Sequence, residues 1–387
     1  LVVRPTSETI IGKSFSKWID SYRDLPLMVN QWANVVRWEM RPRVLLRTTE
    51  FLWQEGHTAH ASEEEARRET EEMLEVYRRF AESFLAMPVI TGEKPEEERF
   101  PGAEMTLSIE AMMQDGKALQ AGTSHYLGQS FAQAAEIDFL DRDGKRQLVH
   151  TSSWGVSTRL LGALIMSHGD DVGLRLPPTV APQQVVVIPV LRGDRDDAVR
   201  AEVEALTAEI RRQTFRAGGP VRALADFRDR EAPAKRWEWT RKGVPLIVEI
   251  GPRDLDQGTV ALRRRDDEEL GIESVPRGEI AGRIVSLLAE VQDGCFALAA
   301  ERLAARTARD VSDVEGFREW FEAEGDDAAA RGFVRAPWSE APESTSLLEE
   351  LKVSVRCIPF DQQLPPDSAC VLTGKPATVE AVFGKAY

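Results

Sequence analysis

The chain has 387 residues, 42% of them hydrophobic and 29% charged, a globular balance but too long for one ordinary core, so two or three domains are expected. Its net charge of -15 repels polyanions at long range, which excludes a general nucleic-acid binder while leaving room for a locally basic docking face. No apolar run approaches the roughly 20 residues that span a bilayer and the amino end lacks a signal-peptide pattern, so a cytoplasmic protein is expected.

The chain opens at Leu1 on what reads as the end of a strand or loop, and an upstream part is expected. Apolar residues Ile10, Ile11, Phe15, Trp18 and Ile19 predict a helix over Glu8–Tyr22, with Thr6 or Ser7 capping its first amides. Two strands are expected at Trp32–Met40 and Leu45–Glu55, joined by the basic loop Arg41-Pro42-Arg43. Ser62-Glu63-Glu64-Glu65 is a capping-box signature for a long helix to about Leu85, with Ala66, Met73, Tyr77, Phe80 and Phe84 at core spacing. Strands follow at Ala103–Ile109 and Lys117–Tyr126. A hairpin is expected next, from Ile137–Leu140 through Asp143-Gly144 into Gln147–Trp154, and then a helix from Ser157 to about His168. Many antiparallel strands among few helices indicate an α+β domain over 1–180, closed by the Pro177-Pro178 linker.

Beyond the linker, strand and helix alternate over 183–290. Strands Val185–Val190, Val221–Ala225, Pro245–Ile250 and Thr259–Arg263 are interleaved with helices Ala198–Arg212, Lys235–Arg241 and Gly278–Val291, a compact α/β domain. It holds 19 Lys/Arg against 20 Asp/Glu, so the acidity lies elsewhere. Helices Cys295–Arg309 and Val314–Glu324 and an irregular, proline-rich tail complete a C-terminal domain over 291–387. Cys295, Cys357 and Cys370 are widely spaced and odd in number, which supports neither a disulfide framework nor a complete cysteine zinc site.

The chemistry concentrates in Arg37–His57. With Arg37-Trp38-Glu39 on a strand, Arg37 and Glu39 share a face, where a guanidinium fork can hold phosphate and a carboxylate can accept from a base amino group. The return stretch Arg47-Thr48-Thr49-Glu50-Phe51-Leu52-Trp53-Gln54-Glu55-Gly56-His57 crowds charged, aromatic and imidazole groups onto one sheet surface, which is costly unless a ligand uses them.

These residues resemble the second signature motif of class II aminoacyl-tRNA synthetases, a strand with Arg-x-Glu, a loop and a returning strand. Arg4-Pro5-Thr6-Ser7-Glu8, Asn30-Gln31-Trp32 and Phe51–His57 are similar to the prolyl-tRNA synthetase family in particular. Gln120-Ala121-Gly122-Thr123-Ser124-His125 resembles that family's nucleotide- and proline-contacting strand. Ser153-Trp154-Gly155-Val156-Ser157-Thr158-Arg159 resembles its third motif, an arginine opening a helix. The resemblance implies an antiparallel-sheet catalytic domain, an α/β anticodon-binding domain and a small α+β C-terminal domain. It also implies adenylation of L-proline by ATP with Mg²⁺, transfer to tRNA(Pro), and a homodimer. In that scheme Arg37 and Arg159 are catalytic, and Glu39, Arg47, Thr48, Gln120 and Thr123 join them at the nucleotide. Thr6, Glu8, Trp53, Glu55, His57, Phe100, His125, Ser153 and Gly155 join Arg37 around proline, which needs acceptors for two N–H bonds and an apolar wall.

No room remains between His57 and Ser153 for an inserted editing domain, and with the long tail this resembles the archaeal and eukaryotic-like subtype. The family's first motif would precede Leu1. In the later domain, Trp237-Glu238-Trp239, Lys242-Gly243-Val244-Pro245 and Glu249–Leu255 resemble the anticodon-binding domain. The family's usual arginine is replaced there by Ile247, leaving Glu238, Lys242 and Arg253 as candidate anticodon residues. Ala336, Ala341 and Thr373 stand where the subtype's zinc cysteines would be and only Cys370 remains, so no structural zinc is expected. The terminal Gly384–Tyr387 matches the subtype's ending, which approaches the active site. Two readings stay open beside this one. One is a synthetase-like paralogue that binds proline, adenylate or RNA without aminoacylating; the other is a sibling class II ligase for another amino acid, against which the Thr6/Glu8 and Ser153–Gly155 blocks stand.

Overall fold

The structure is a computed structural model that describes residues 3–216, 219–267, 269, 271–323 and 331–387. It divides into two compact units: Leu1–Ala81 with Pro88–Ala163 and Arg302–Tyr387, and Glu82–Met87 with Leu164–Glu301.

In the first unit, α1 (Glu8–Trp18) starts after Ser7, whose side chain does not cap it. Ser7 instead donates to Glu55, and Thr6 to Glu8, so both expected caps serve carboxylates. β1 is Leu27–Val36 and β2 is Glu50–His60. The pair therefore lies earlier and later than expected, and Arg37-Trp38-Glu39 sits just past β1 rather than within a strand. Burial explains the shift: Leu27, Val29, Gln31, Ala33 and Val35 alternate inward against exposed Met28, Asn30, Trp32 and Asn34. Leu45-Leu46, which looked like the start of the return strand, lies in the loop and packs against Gly162.

α2 (Glu63–Arg79) opens with Ser62 accepting from the Glu65 amide and closes in a π-helical turn, Phe80–Phe84. Ala66, Leu74 and Tyr77 form its buried side, whereas Met73 is half-buried and Phe80 and Phe84 are exposed in the chain, contrary to the expected core spacing. Next come β3 (Val89–Glu93), β4 (Met105–Met112), β5 (Ala118–Gly128), α3 (Ser130–Ala135), β6 (Asp138–Leu140), β7 (Arg146–Leu148), β8 (His150–Ser157) and α4 (Arg159–His168). The expected hairpin is confined to β6 and β7, and β8 leaves it to enter the large sheet between β2 and β5.

The second unit holds β9 (Val185–Pro189), α5 (Asp196–Arg211), the short pair β10 (Thr214–Phe215) and β11 (Gly219–Pro220), β12 (Ala223–Ala225), α6 (Ala232–Arg241), β13 (Leu246–Ile250), α7 (Pro252–Gln257), β14 (Thr259–Arg264) and β15 (Glu273–Pro276). Its sheet runs β12-β9-β13-β14-β15, parallel through β13 and antiparallel after it. Val185 and Val187 face a core with Val199, Val203, Ile284 and Leu288, while Val186 and Ile188 face Ala232, Val244 and Ile247. Burial on both faces is why this strand reads as an unbroken apolar run.

α8 (Arg277–Ala305) is one continuous helix where two were expected, because Val291 and Cys295 stay in register on its buried side across Gly294. Regular elements, not the expected irregular tail, fill the described residues here: β16 (Thr307–Ala308), α9 (Val314–Glu322), β17 (Phe333–Trp338), α10 (Pro342–Leu351), β18 (Ser354–Pro359) and β19 (Val379–Gly384) surround Phe317, Phe321, Trp338 and Phe383. Glu324, the expected end of the α9 helix, lies outside the described residues. Among the described residues, ten strands form one sheet in the order β1-β2-β8-β5-β4-β3-β18-β19-β17-β16. No helix among them is long and apolar enough to cross a membrane.

Gly56 of β2 pairs with Trp154 of β8, and a methyl at Gly56 would overlap the Trp154 ring. Gly56→Ala is therefore expected to cost about 1–3 kcal/mol or more by overpacking, measured by urea unfolding against the parent chain.

Candidate active site

Register brings the site together. Across β2, β8 and β5, Glu55 is level with Gly155 and Thr123, and His57 is level with Ser153 and His125, with Thr106 of β4 opposite His125. Because alternate residues of a strand share a face, four strands present Glu55, Ser153, Thr123, His125 and Thr106 to one cavity of about 250 Å³.

One end of the cavity is anionic. Ser153 Oγ donates to Glu8 Oε1 at 3.3 Å, and Gln31 Nε2 donates to Glu55 Oε1 at 2.6 Å. His57 Nε2 lies 3.2 Å from Glu55 Oε2, an ion-pair distance without hydrogen-bond alignment. Burial opposes charge on Glu55, but the His57 ring, the Ser7 hydroxyl and the Gln31 amide outweigh it and hold the carboxyl below the ordinary range. Phe100 packs against His125 with ring centroids 4.9 Å apart and the planes tilted by 34°. Thr106 Oγ1 accepts from Phe100 N and lies 3.0 Å from His125 Nδ1. Although His125 keeps some contact with the cavity, its surroundings are poor in water, and desolvation lowers its pKa to about 4.

The other end is cationic. Arg37 Nε donates to the Pro5 carbonyl at 2.8 Å, and its guanidinium lies over Phe51 and Trp53 at 5.4 and 5.7 Å. Arg159 donates to the Leu46 and Gln120 carbonyls at 3.1 and 3.3 Å. Burial, then neighbouring Arg47 and Arg37, press the Arg159 pKa below its ordinary value, with Glu110 opposing them. Such crowding persists in the folded chain because guanidinium cannot readily shed its proton, and an anion arriving there relieves it.

Thr6, Glu8, Arg37, Trp53, Glu55, Phe100, Gln120, Thr123, His125, Ser153, Gly155 and Arg159 line this cavity, so most of the sequence-predicted site assembles. Glu39, Arg47 and Thr48 line an adjoining cleft that shares Arg37, Phe51, Ser157 and Arg159 with it. Arg47 Nη2 also donates to the Tyr387 main-chain oxygen at 2.7 Å. His57 stands behind Glu55 instead of on the wall. Lys94, Glu98, Arg99 and Thr106 line the cavity without having been foreseen. Three of them belong to Lys94–Arg99, a charged run that looks like solvated loop; the signal against that reading is Phe100 placed right after it.

Elsewhere, Glu238 of α6 accepts from Arg228 at 2.9 Å and from Lys242 at 2.6 Å, while Arg253 stands exposed on α7. Ile247 is buried in the floor of a cleft lined by Trp237, Thr240, Arg236 and Arg263 among others. Arg236 and Arg263 both reach Glu249, at 2.9 and 3.3 Å. Ala336 is buried on β17, and the buried Cys370 sits beside Thr373. Among the described residues no three His, Cys, Asp or Glu side chains are grouped to hold a metal.

A strand-built cavity with a carboxylate pocket at one end and an arginine wall at the other lies within the stretch that matches a class II aminoacyl-tRNA synthetase core. Residues 1–168 match the family model for the tRNA synthetase class II core domain (G, H, P, S and T), 184–287 the anticodon binding domain, and 325–387 the prolyl-tRNA synthetase C-terminal domain. Proline–tRNA ligase of Paramagnetospirillum magneticum is 53% identical over 388 residues, covering 100% of this chain and 76% of the relative. That of Protochlamydia amoebophila is 50% identical over 390 residues, with coverage of 100% and 76%. Proline–tRNA ligase 2 of Anaeromyxobacter dehalogenans is 50% identical over 395 residues, with coverage of 100% and 77%. The chain belongs to the proline–tRNA ligase family.

His125 and His60 both have pKa values lowered to about 4, chiefly by desolvation. A depressed histidine is neutral when folded and protonates near 6.5 when unfolded, so the unfolded state binds more protons between those values. Folding stability is therefore expected to fall as pH drops from about 6.5 to 4. His125→Gln should remove about 1–3 kcal/mol of that acid sensitivity, read from urea midpoints at pH 7 and 4.5.

Proposed function

We propose that the cavity activates L-proline with ATP and that the chain transfers it to the 3′ end of tRNA(Pro). The observation that carries this reading is the continuous wall from the Glu8/Glu55 carboxylates to Arg37 and Arg159. Glu8 and Thr6 accept from the ring ammonium of proline, and Phe100, His125 and Trp53 enclose its apolar ring. Arg37, at the cationic end, holds the proline carboxylate against the α-phosphate. Gln120, Thr123, Glu39 and Thr48 seat the nucleoside, and Arg159 with Arg47 meets the outer phosphates.

In the first step a proline carboxylate oxygen attacks the α-phosphorus. A carbon–oxygen–phosphorus anhydride forms, the bond to the β-phosphate oxygen breaks, and pyrophosphate leaves with those electrons. In the second, a hydroxyl of the terminal tRNA ribose attacks the carbonyl carbon, giving the ester and AMP. Neither step needs a nucleophilic side chain; positioning and charge neutralisation suffice. Mg²⁺ is the metal expected with a triphosphate, its oxygen ligands coming mainly from the phosphates; no residue here is assigned to it.

In the second unit, Glu238, Lys242 and Arg253 remain the anticodon candidates. Arg236 and Arg263, anchored on Glu249 beside Ile247, supply cations that Ile247 lacks for a guanine edge or phosphate. A homodimer is proposed from the face of β1 and β2 that exposes Met28, Trp32 and Leu52, with Trp32 84% exposed. A cytoplasmic location fits substrates that are cytoplasmic.

Proline-dependent exchange of pyrophosphate into ATP, followed by tRNA charging, tests the reading. Arg37→Ala and Arg159→Ala should each lower exchange by at least about 100-fold with the melting transition retained; parental rates in either would overturn the assigned roles. Exchange without charging would favour the paralogue reading, and exchange with another amino acid but not proline would favour a sibling ligase. The purified chain is expected to carry no stoichiometric zinc, and metal analysis finding one tightly held zinc per chain would overturn that expectation.

A further inference from the structure

Below the arginine end lies a buried charge cluster that the proposed mechanism does not use. Glu110 of β4 is fully buried, with 0% exposure. Its Oε1 accepts from Lys94 Nζ at 2.8 Å, and its Oε2 accepts from Arg356 Nε and Nη2 at 3.1 and 2.9 Å. Lys94, 1% exposed, also donates to the Arg356 carbonyl, and Arg356 Nη1 donates to Ser354 Oγ at 2.8 Å.

Two irregularities of the sheet create this meeting. Ile109 pairs with Gly122 and Glu110 with Gln120, so Ala121 is an extra residue of β5. On β18, Val355 pairs with Phe383 and Cys357 with Val382, so Arg356 is the extra residue and its side chain leaves the alternation of its own strand. Bulges re-aim side chains in this way next to active sites. Lys94 follows directly on β3, the strand that β18 joins, and lines the active-site cavity. Gln120, opposite Glu110, is the residue whose carbonyl receives Arg159.

Two cations share one carboxylate, so the cluster carries one surplus positive charge out of water, where screening is weak. Burial opposes ionisation of Glu110, but Lys94 and Arg356 hold its carboxyl below the ordinary range, so the charge count holds at neutral pH. We propose that Lys94, Glu110 and Arg356 form a fixed cationic floor that strengthens ATP binding, which makes Arg356 of the C-terminal segment a positioning residue of the nucleotide site. The inference rests on the ATP assignment of the Arg37–Arg159 wall. A polyphosphate responds to each unit of charge near it, whereas zwitterionic proline does not, so KM for ATP and KM for proline separate the effects.

The test is proline-dependent pyrophosphate exchange by the full chain. Exchange by the parent that Arg37→Ala and Arg159→Ala abolish supports the underlying assignment; no exchange by the parent, or parental rates in those two variants, would remove it before any cluster variant is compared. Arg356→Met makes the cluster neutral and should raise KM for ATP about tenfold, with KM for proline within about twofold. Lys94→Met reaches the same net charge while leaving the Arg356 fork on Glu110, and should shift KM for ATP likewise. Arg356→Lys, and the double variant Glu110→Gln/Arg356→Met, keep one surplus charge and should return KM for ATP to within about threefold of the parent. KM is independent of the folded fraction, so partial misfolding does not mask the result. An unchanged KM for ATP in Arg356→Met and Lys94→Met would overturn the proposal. So would a double variant as weak as Arg356→Met, which would make the cluster structural.

Discussion

The register of β2, β8, β5 and β4 is the constraint on which the rest of the site depends. Glu55, Gly155 and Thr123 form one row across the sheet, and His57, Ser153, His125 and Thr106 the next. A slip of one residue on any strand would turn its contribution to the opposite face. Trp154 guards against that slip, since its ring occupies the space over Gly56 and only a residue without a side chain fits there. One steric pairing on the far side of the row thus holds the pocket's polar groups level.

That register also fixes the electrostatics. Carboxylates from α1 and β2 converge at one end, and arginines from the loop after β1 and the start of α4 converge at the other. The carboxylate end is satisfied by internal hydrogen bonds; the arginine end is crowded with like charge. A ligand with an ammonium at one end and a phosphate at the other suits both.

Much of this was legible in the sequence because the side chains that line the cavity lie mostly in short blocks whose order survives any error in element boundaries. The boundaries themselves were less legible. Leu45-Leu46 reads as the start of a strand, yet these leucines cover Gly162 of α4, so tertiary packing claimed an apolar pair that local pattern gave to the return strand. Lys94, Glu98 and Arg99 were hidden for the opposite reason, a charged run that ordinarily means solvent. A break between helices was likewise expected between Val291 and Cys295, but the burial of those two residues outweighs the about 1 kcal/mol that interior Gly294 costs. Each error came from a long-range contact that composition cannot show.

The same holds most strongly for the C-terminal strands. β18 joins β3 through only two paired positions, Ile358 with Glu93 and Pro359 with Gly92, and Pro359 donates no backbone hydrogen bond. A ladder that short specifies little by itself. The Arg356 fork on Glu110, backed by Lys94 on the Arg356 carbonyl, adds a polar lock to the apolar packing of Cys357, Phe333 and Val382 with Met112, Ala118 and Ile90. Buried ions give little net stability against an apolar filling of the same space, but removing one partner is costly, so such a cluster penalises every misaligned junction. The tail is therefore tied to the sheet where the sheet meets the cavity: Lys94 of the docking cluster lines that cavity, and Glu110 lies opposite Gln120, whose carbonyl receives Arg159.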